Sequence, residues 1–387
     1  MKYNGIVISD IHFGASDVES LKKELIEVFL YYLENMKKID FIIIDGDYFD
    51  HKIYLNEKAS YYALSFMDKL VSICKEHNCP IRLIYGTESH EVNQYGIFSM
   101  YKEDKDLDFK VIYTVEEEEL LPGMNVLYLP EEHIYSKKEY YKEYFENKNK
   151  YDYVFGHGVI QEVMTHVTRN STKKESDRKK TPVFSSAEFL DICKGQVYFG
   201  HYHINTNIND KIFYVGSFSR WCHGEMQPKG FYHITYDKDK EKYTQKFIEN
   251  YLAKKYITYT YGYNSSVMNS EEDLLDELNK KDKLINIEES DHVCYVFNIP
   301  ENHPNPEFII NILNERYKFN ENVKVNITNG YVEKKRKVNK ERLDSVINEF
   351  PMVFDKSVQI EDKVYYYIKK KYDRDIEESH IKKYLYE

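Results

Sequence analysis

An α/β fold with two packed mixed β-sheets flanked by helices, a smaller α/β domain after it and a C-terminal helical appendage is predicted by three features of the sequence. Short β-rich runs alternate with helix-length stretches whose apolar residues recur every three or four positions. Each run ends at a glycine or polar cluster. Past about residue 250 the alternation restarts, and from Glu333 it gives way to basic and then helix-periodic sequence.

The first strands are read at 5–9 (GIVIS), 40–44 (DFIII) and 81–85 (IRLIY). Between them lie two helices. One carries Leu21, Leu25, Val28, Phe29 and Tyr32 on a single face, with Asp17 as its N-cap. The other begins after Asn56 and continues through Tyr61, Leu64, Met67 and Leu70. Strand, helix, strand, helix, strand is a layered arrangement. Runs at 125–129, 152–155, 196–199, 211–215 and 231–236 call for a second sheet, with those at 213–215 and 231–234 read as adjacent strands and the loop between them as lying beside the site. Residues 169–180 hold six basic and two acidic residues without periodicity and read as an exposed loop. Later come a strand at 256–261, a helix capped by Ser270, a strand at 293–299, a helix entered through Asn305-Pro306 and a strand at 323–328. A basic run at 334–337 precedes two helix-like stretches around 340–350 and 361–371. The domain division that follows is 1–245, 250–332 and 333–387.

A length of 387 residues suits two or three domains. No apolar run approaches the roughly 20 residues of a membrane span, and the stretch from Met1 to Ser9 lacks the regions of a secretory signal. The expectation is a protein of the cytoplasm, the host's if the source is viral. Five irregularly spaced cysteines suggest neither a disulfide framework nor a zinc site and read as reduced thiols. A net charge of -11 argues against a protein that coats nucleic acid over its whole surface, although it leaves room for a local groove.

Five clusters follow predicted strands: Asp10-Ile11-His12, Gly46-Asp47-Tyr48-Phe49-Asp50, Gly86-Thr87-Glu88-Ser89-His90, Gly156-His157-Gly158 and Gly200-His201-Tyr202-His203. Strand ends form the rim where α/β sheets bind ligands, so clusters remote in sequence can meet there. Carboxylates and imidazoles gathered at one rim are a donor set for divalent metals. The preceding glycines are read as turns that aim each side chain off its strand. Taken singly each cluster is weak, since a lone histidine is more often structural. All five in order are specific.

That order resembles the calcineurin-like metallophosphoesterases. The resemblance implies one metal on Asp10, His12 and His203, a second on His157 and His201, and Asp47 bridging both. It also implies manganese, with magnesium as the substitute, clamping a phosphodiester and generating the attacking hydroxide, with His90 protonating or stabilising charge beside the phosphate. The third block departs from the family's Gly-Asn-His: it is longer and lacks the asparagine that ligates the second metal. Ser89 takes that place by position, with Glu88 and Asn93 as other oxygen donors, and the second metal is expected to bind less tightly than the first. Asp50 and His51 are given no strong role.

The segment Tyr214–Arg220, with His223-Gly224-Glu225 and Lys229-Gly230-Phe231, resembles a block of the SbcD-type DNA nucleases. This likeness implies a DNA exo- and endonuclease of recombination and double-strand-break repair, working with an SbcC-type ATPase that has a long coiled coil, and compatible with a homodimer in that complex. It also implies that the domain at 250–332 binds DNA and the segment at 333–387 grips the ATPase. Lys173, Lys174 and Arg178, with Lys179 and Lys180, and Arg220 are the candidate DNA-contacting residues. A phosphatase or nucleotide phosphodiesterase acting on small substrates is the alternative reading.

Overall fold

The computed structural model describes residues 1–15, 17–163, 180–262, 265–284, 291–299, 303, 307–318, 320, 322–329, 351–354, 358–372 and 375. The strands are β1 (Lys2–Ile8), β2 (Phe41–Asp45), β3 (Ile81–Ile84), β4 (Phe109–Ile112), β5 (Glu116–Leu121), β6 (Met124–Leu129), β7 (Tyr151–His157), β8 (Val159–Ile160), β9 (Val183–Phe184), β10 (Cys193–Gly200), β11 (Thr206–Asn209), β12 (Ile212–Tyr214), β13 (Gly230–Asp237), β14 (Lys242–Glu249), β15 (Tyr256–Tyr261), β16 (His292–Ile299) and β17 (Val323–Asn329).

Two six-stranded mixed sheets form the first unit. One has the order β14-β13-β1-β2-β3-β4 and the other β11-β12-β10-β7-β6-β5. In each, four neighbouring strands run parallel: β1 to β4 in the first, and β12, β10, β7 and β6 in the second. The alternation of side chains assigns the layers. Ile42 and Ile44 of β2 face the helices of the first sheet, while Phe41 and Ile43 join Tyr153, Phe155 and Tyr198 of the second sheet in the core between the two. Val154 and Phe199 point to the outer face of the second sheet, against helix Ser186–Ile192. A strand such as β2 reads as unbroken apolar sequence because both its faces are buried.

Asp17 caps helix Val18–Glu24 by accepting the backbone N–H groups of Glu19 and Ser20. The second expected helix spans Lys58–His77 and lays Ala63, Phe66, Met67 and Leu70 on the first sheet. Within the two large sheets four strands were not legible as apolar runs: β4, β5, β11 and β14. They are the four edges of the two sheets, where one side faces water and polar residues are tolerated. β5 alternates half-buried and exposed glutamates from Glu116 to Glu119.

The adjacency read for the strands at 213–215 and 231–234 is corrected. β12 lies in the second sheet and β13 in the first, so the segment 215–229 carries the chain from one sheet to the other. Two turn-like glycines flanking apolar runs do not distinguish a hairpin from such a crossing.

By contacts between Cα atoms the chain divides into Met1–Ile257 with Glu289–Val293, and Thr258–Glu288 with Cys294–Glu387. β15, β16 and β17 form a three-stranded sheet, accompanied by helices Glu271–Asp282 and Glu307–Tyr317. Ser270 caps the first of these through the Asp273 N–H. In this unit Asp282 gathers Tyr295, Arg316 and Tyr317 by hydrogen bonds of 2.7–3.2 Å. Helix Ile360–Tyr372 answers the expected stretch at 361–371, whereas 334–337 and 340–350 lie outside the described residues. Among the described residues no helix is long and apolar enough to cross a membrane. All five cysteines are free thiols, four of them buried.

Candidate metal centre

The parallel strands of both sheets end at one rim, and the polar clusters follow those ends. Asp10 and His12 come after β1, Asp47 and Asp50 after β2, Thr87 and His90 after β3, His157 closes β7, and His201 and His203 follow β10. The first two loops are laced together by their backbones: the N–H groups of Asp10, His12 and Phe13 donate to the carbonyls of Gly46, Asp47 and Tyr48 at 2.9–3.1 Å.

Backbone geometry corrects the reading of the glycines. Asp10, His12, Asp47 and His201 themselves adopt positive φ, at 49°, 53°, 46° and 93°. Of the glycines that precede these clusters, Gly46 shares this conformation, at 81°. Gly200 serves a different need. A Cβ there would sit 2.0 Å from Ser9 Oγ and 2.6 Å from His157 Nδ1, so its hydrogen is what lets the two sheets' loops approach.

Asp10, His12, Asp47, His157, His201 and His203 are brought together as overlapping groups of ligand atoms: Asp10 with His12 and His203, Asp10 with Asp47 and His157, and His157 with His201. His12 Nε2 and His203 Nε2 face each other at 2.9 Å, and each lies 3.8 Å from Asp10 Oδ1. His157 donates Nδ1–H to the Asp45 carbonyl at 2.8 Å. In the neutral ring its Nε2 then carries the lone pair, buried 3.2 Å from Asp47 Oδ2 and without a hydrogen-bond partner. Lone pairs facing lone pairs in a buried pocket fit divalent cations. The same carboxylates set a negative field that draws protons onto the imidazoles where no cation is bound, His157 included. Burial works to lower the His12 imidazole, but the Asp10, Asp50 and Asp47 carboxylates outweigh it and push it up to about 10. Burial likewise works to raise Asp10, and the surrounding imidazoles hold it well below the usual carboxylate range.

Partners behind the candidate ligands fix their orientation. Glu225 Oε1 lies 2.8 Å from His203 Nδ1, and the same carboxylate accepts the Trp221 N–H at 3.0 Å and approaches Lys229 Nζ at 3.2 Å. Lys229 in turn donates to the His203 carbonyl at 2.6 Å. Asp50, given no role from sequence, stands with Oδ1 3.2 Å from His12 Nδ1, and its carbonyl takes the Nδ1–H of His90. That bond leaves His90 Nε2 as the free ring nitrogen. The His90 ring packs edge-on against His12 at 5.0 Å between centroids.

In the third cluster Ser89 and Glu88 are exposed on the short helix Glu88–Glu91, and Thr87 turns toward the centre. Its N–H donates to Asp47 Oδ1 at 2.6 Å, and its hydroxyl lies within 3.0–3.4 Å of Asp47 Oδ2, Glu131 Oε2 and His201 Nδ1. Glu131, which follows β6, was not singled out from sequence. It is buried, its Oε2 lies 3.2 Å from His201 Nδ1, and it groups with His157 and His201. The available signal was its place: Leu129-Pro130-Glu131-Glu132 is a polar cluster after an apolar strand, like the five others.

Arg220 turns to the backbone. Its Nε donates to the Glu225 carbonyl at 3.1 Å, Nη1 to those of Ala253 and Lys254, and Nη2 to that of Gln227. Lys173, Lys174, Arg178 and Lys179 lie outside the described residues, while Lys180 is exposed and pairs through its backbone with Ile134.

The family described as calcineurin-like phosphoesterase matches residues 6–205. No curated protein matches the chain. Among solved structures 41 chains match. One, a crystal structure, shares 11% identity, covers 64% of this chain and 100% of its own, and has a TM-score of 0.35, so no argument rests on it.

Proposed function

This chain belongs to the calcineurin-like phosphoesterases, hydrolases of phosphoesters that depend on divalent metals, and from that membership we propose a DNA nuclease of the SbcD type. Its substrate is a DNA phosphodiester, its metal manganese with magnesium as substitute, and its partner an SbcC-type ATPase in recombination and double-strand-break repair.

One observation carries the reading. The segment that follows Gly200-His201-Tyr202-His203 and resembles the SbcD-type block braces the candidate metal centre: Glu225 and Lys229 both bond His203, and the Trp221 ring lies 6.2 Å from that of His12. Mixed imidazole and carboxylate donors suit manganese better than magnesium, which favours oxygen. When bound, the cations supply the charge that draws in and polarises a phosphodiester and acidify the attacking water. His90, with Nδ1–H committed to the Asp50 carbonyl, holds its proton for transfer at Nε2. Asp50 keeps His12 aimed, and Glu225 does the same for His203. Arg220 acts through the loop it clamps, leaving phosphate contact to Lys173, Lys174 and Arg178. The segment 333–387 is assigned to the ATPase, whose ATP-driven opening of DNA ends the nuclease would exploit.

The test is incubation of the purified chain with manganese and linear single- and double-stranded DNA. Degradation is expected, and Asp47→Asn or His90→Ala should abolish it while the circular-dichroism spectrum stays unchanged. Release of phosphate from phosphopeptides or nucleotides, with DNA left intact, overturns the nuclease reading in favour of a phosphatase or nucleotide phosphodiesterase.

A further inference from the structure

We infer that Glu131 is a direct ligand of the second metal, a carboxylate from the end of β6 standing in for the asparagine that the third cluster lacks; this rests on the phosphoesterase reading above. β6 is the parallel neighbour of β7, with Leu129 opposite Gly156, so the residue two past Leu129 emerges beside His157. Glu131 Oε2 then lies 3.2 Å from His201 Nδ1 and 3.0 Å from Thr87 Oγ1.

Proton bookkeeping separates a ligand from an ordinary hydrogen-bonded carboxylate. The Thr87 hydroxyl has one proton to give and three acceptors within 3.4 Å: Asp47 Oδ2, Glu131 Oε2 and His201 Nδ1. Whichever it serves, at least one carboxylate oxygen still faces the pocket. His157 Nε2 points into the same space, buried and without a partner. Ligand atoms of Glu131, His157 and His201 thus lie within 4.8 Å of one another, with Asp47 Oδ2 3.2 Å from His157 Nε2, a donor set that a cation satisfies and a single proton does not. Ser89, on the exposed surface of its helix, offers no comparable convergence.

The exchange of amide for carboxylate has a consequence. Asp10, Asp47 and Glu131 together set three negative charges against the four positive charges of two divalent ions, where an asparagine would leave two. The second metal is held more tightly, reversing the order expected from the missing asparagine, and the loaded centre is less positive toward phosphate.

The experiment is a titration of manganese into wild type, Glu131→Gln, Glu131→Asp and Ser89→Ala, followed by electron paramagnetic resonance of free ion and of the spin-coupled pair. Expected are two ions and a coupled signal in wild type and in Ser89→Ala. Glu131→Gln keeps an oxygen donor and loses the charge, so second-site affinity should fall at least 10-fold while the first is unchanged, and the coupled signal should need correspondingly more manganese. Glu131→Asp keeps the charge and shortens the reach, so second-site affinity falls at least 10-fold while the first holds; it decides the matter if the glutamine variant does not fold. Wild-type second-site affinity in both Glu131 variants, or loss of the coupled pair in Ser89→Ala, overturns the inference alone. Fewer than two ions in wild type overturns the phosphoesterase reading, and the inference with it.

Discussion

Replacing Gly46 with alanine tests whether the candidate centre is built by close packing. Gly46 has φ +81°, and an added Cβ would lie 2.0 Å from His157 Nδ1 and 2.4 Å from its Cγ, where ordinary contact begins at 3.4 Å. The ring must retreat by roughly 1.4 Å, although it is fully enclosed and anchored on the Asp45 carbonyl. Left-handed backbone costs alanine about 1–2 kcal/mol. Overpacking adds about 1–3 kcal/mol, and the lost hydrogen bond about 1 kcal/mol. The total is about 3–6 kcal/mol, or a fall on the order of 10 °C in the melting of a unit this size. Because the retreat carries Nε2 away from Asp47, manganese affinity should fall at least about 10-fold. Gly96→Ala is the control. Nothing lies within 4 Å of its Cβ position, and its stability should stay within about 1 kcal/mol of wild type. Both are read by calorimetric melting in chelator and by manganese titration. Equal melting and equal metal affinity for Gly46→Ala and wild type would refute the claim that His157 is positioned against that glycine.

Glu225→Gln removes the charge behind His203 and should lower manganese affinity about 10–100-fold; isothermal titration with no change would show that Glu225 serves only its loop. Arg82 reaches from β3 to Asp108 and to Glu118 on the facing sheet at 2.7–2.8 Å, so Arg82→Ala should cost about 3 kcal/mol in urea unfolding, discounted from a fully buried pair because Asp108 is largely exposed. Burial, with the Asp47 charge, pushes the buried Glu91 carboxyl from 4.5 up to about 8. Since the folded state holds this proton more tightly, the associated stability is intact below pH 4.5 and lost as pH rises toward about 8. Urea melts of the metal-free chain should show that decline, and Glu91→Gln should flatten it; parallel pH profiles would remove Glu91 as the cause.

Central strands were legible because burial on both faces writes them as unbroken apolar runs, and the clusters after them were legible because histidine, aspartate and glycine together are rare. Edges were not, since β5 and β14 owe their pairing to a neighbour's backbone and carry glutamate, lysine and glutamine without penalty. Glu131 escaped for a related reason: the pair Glu131-Glu132 after Leu129-Pro130 has no glycine before it and lacks the Gly-His or Gly-Asp spacing of the other clusters, although His133 follows, and only the register of β6 on β7 shows where it emerges. Arg220 shows what one dimension hides from the other side: a basic residue read for phosphate contact donates four N–H hydrogen bonds to main-chain carbonyls. Asp50 was named and set aside, because a turn residue and a brace for two imidazoles look alike in one dimension.

Four of the metal-binding candidates occupy a region of backbone space that side chains with a β-carbon avoid, and this narrows what can replace them. Aspartate, asparagine and histidine are the non-glycine residues that tolerate such turns best, and all three can donate to a metal, asparagine without a charge. Conformation and coordination thus draw on nearly the same alphabet, so a lineage drifting at Asp10, His12, Asp47 or His201 has asparagine as its least damaging exit. Knock-outs made with alanine would confound a broken turn with a missing donor, whereas asparagine keeps the turn and removes the charge of an aspartate or the imidazole of a histidine.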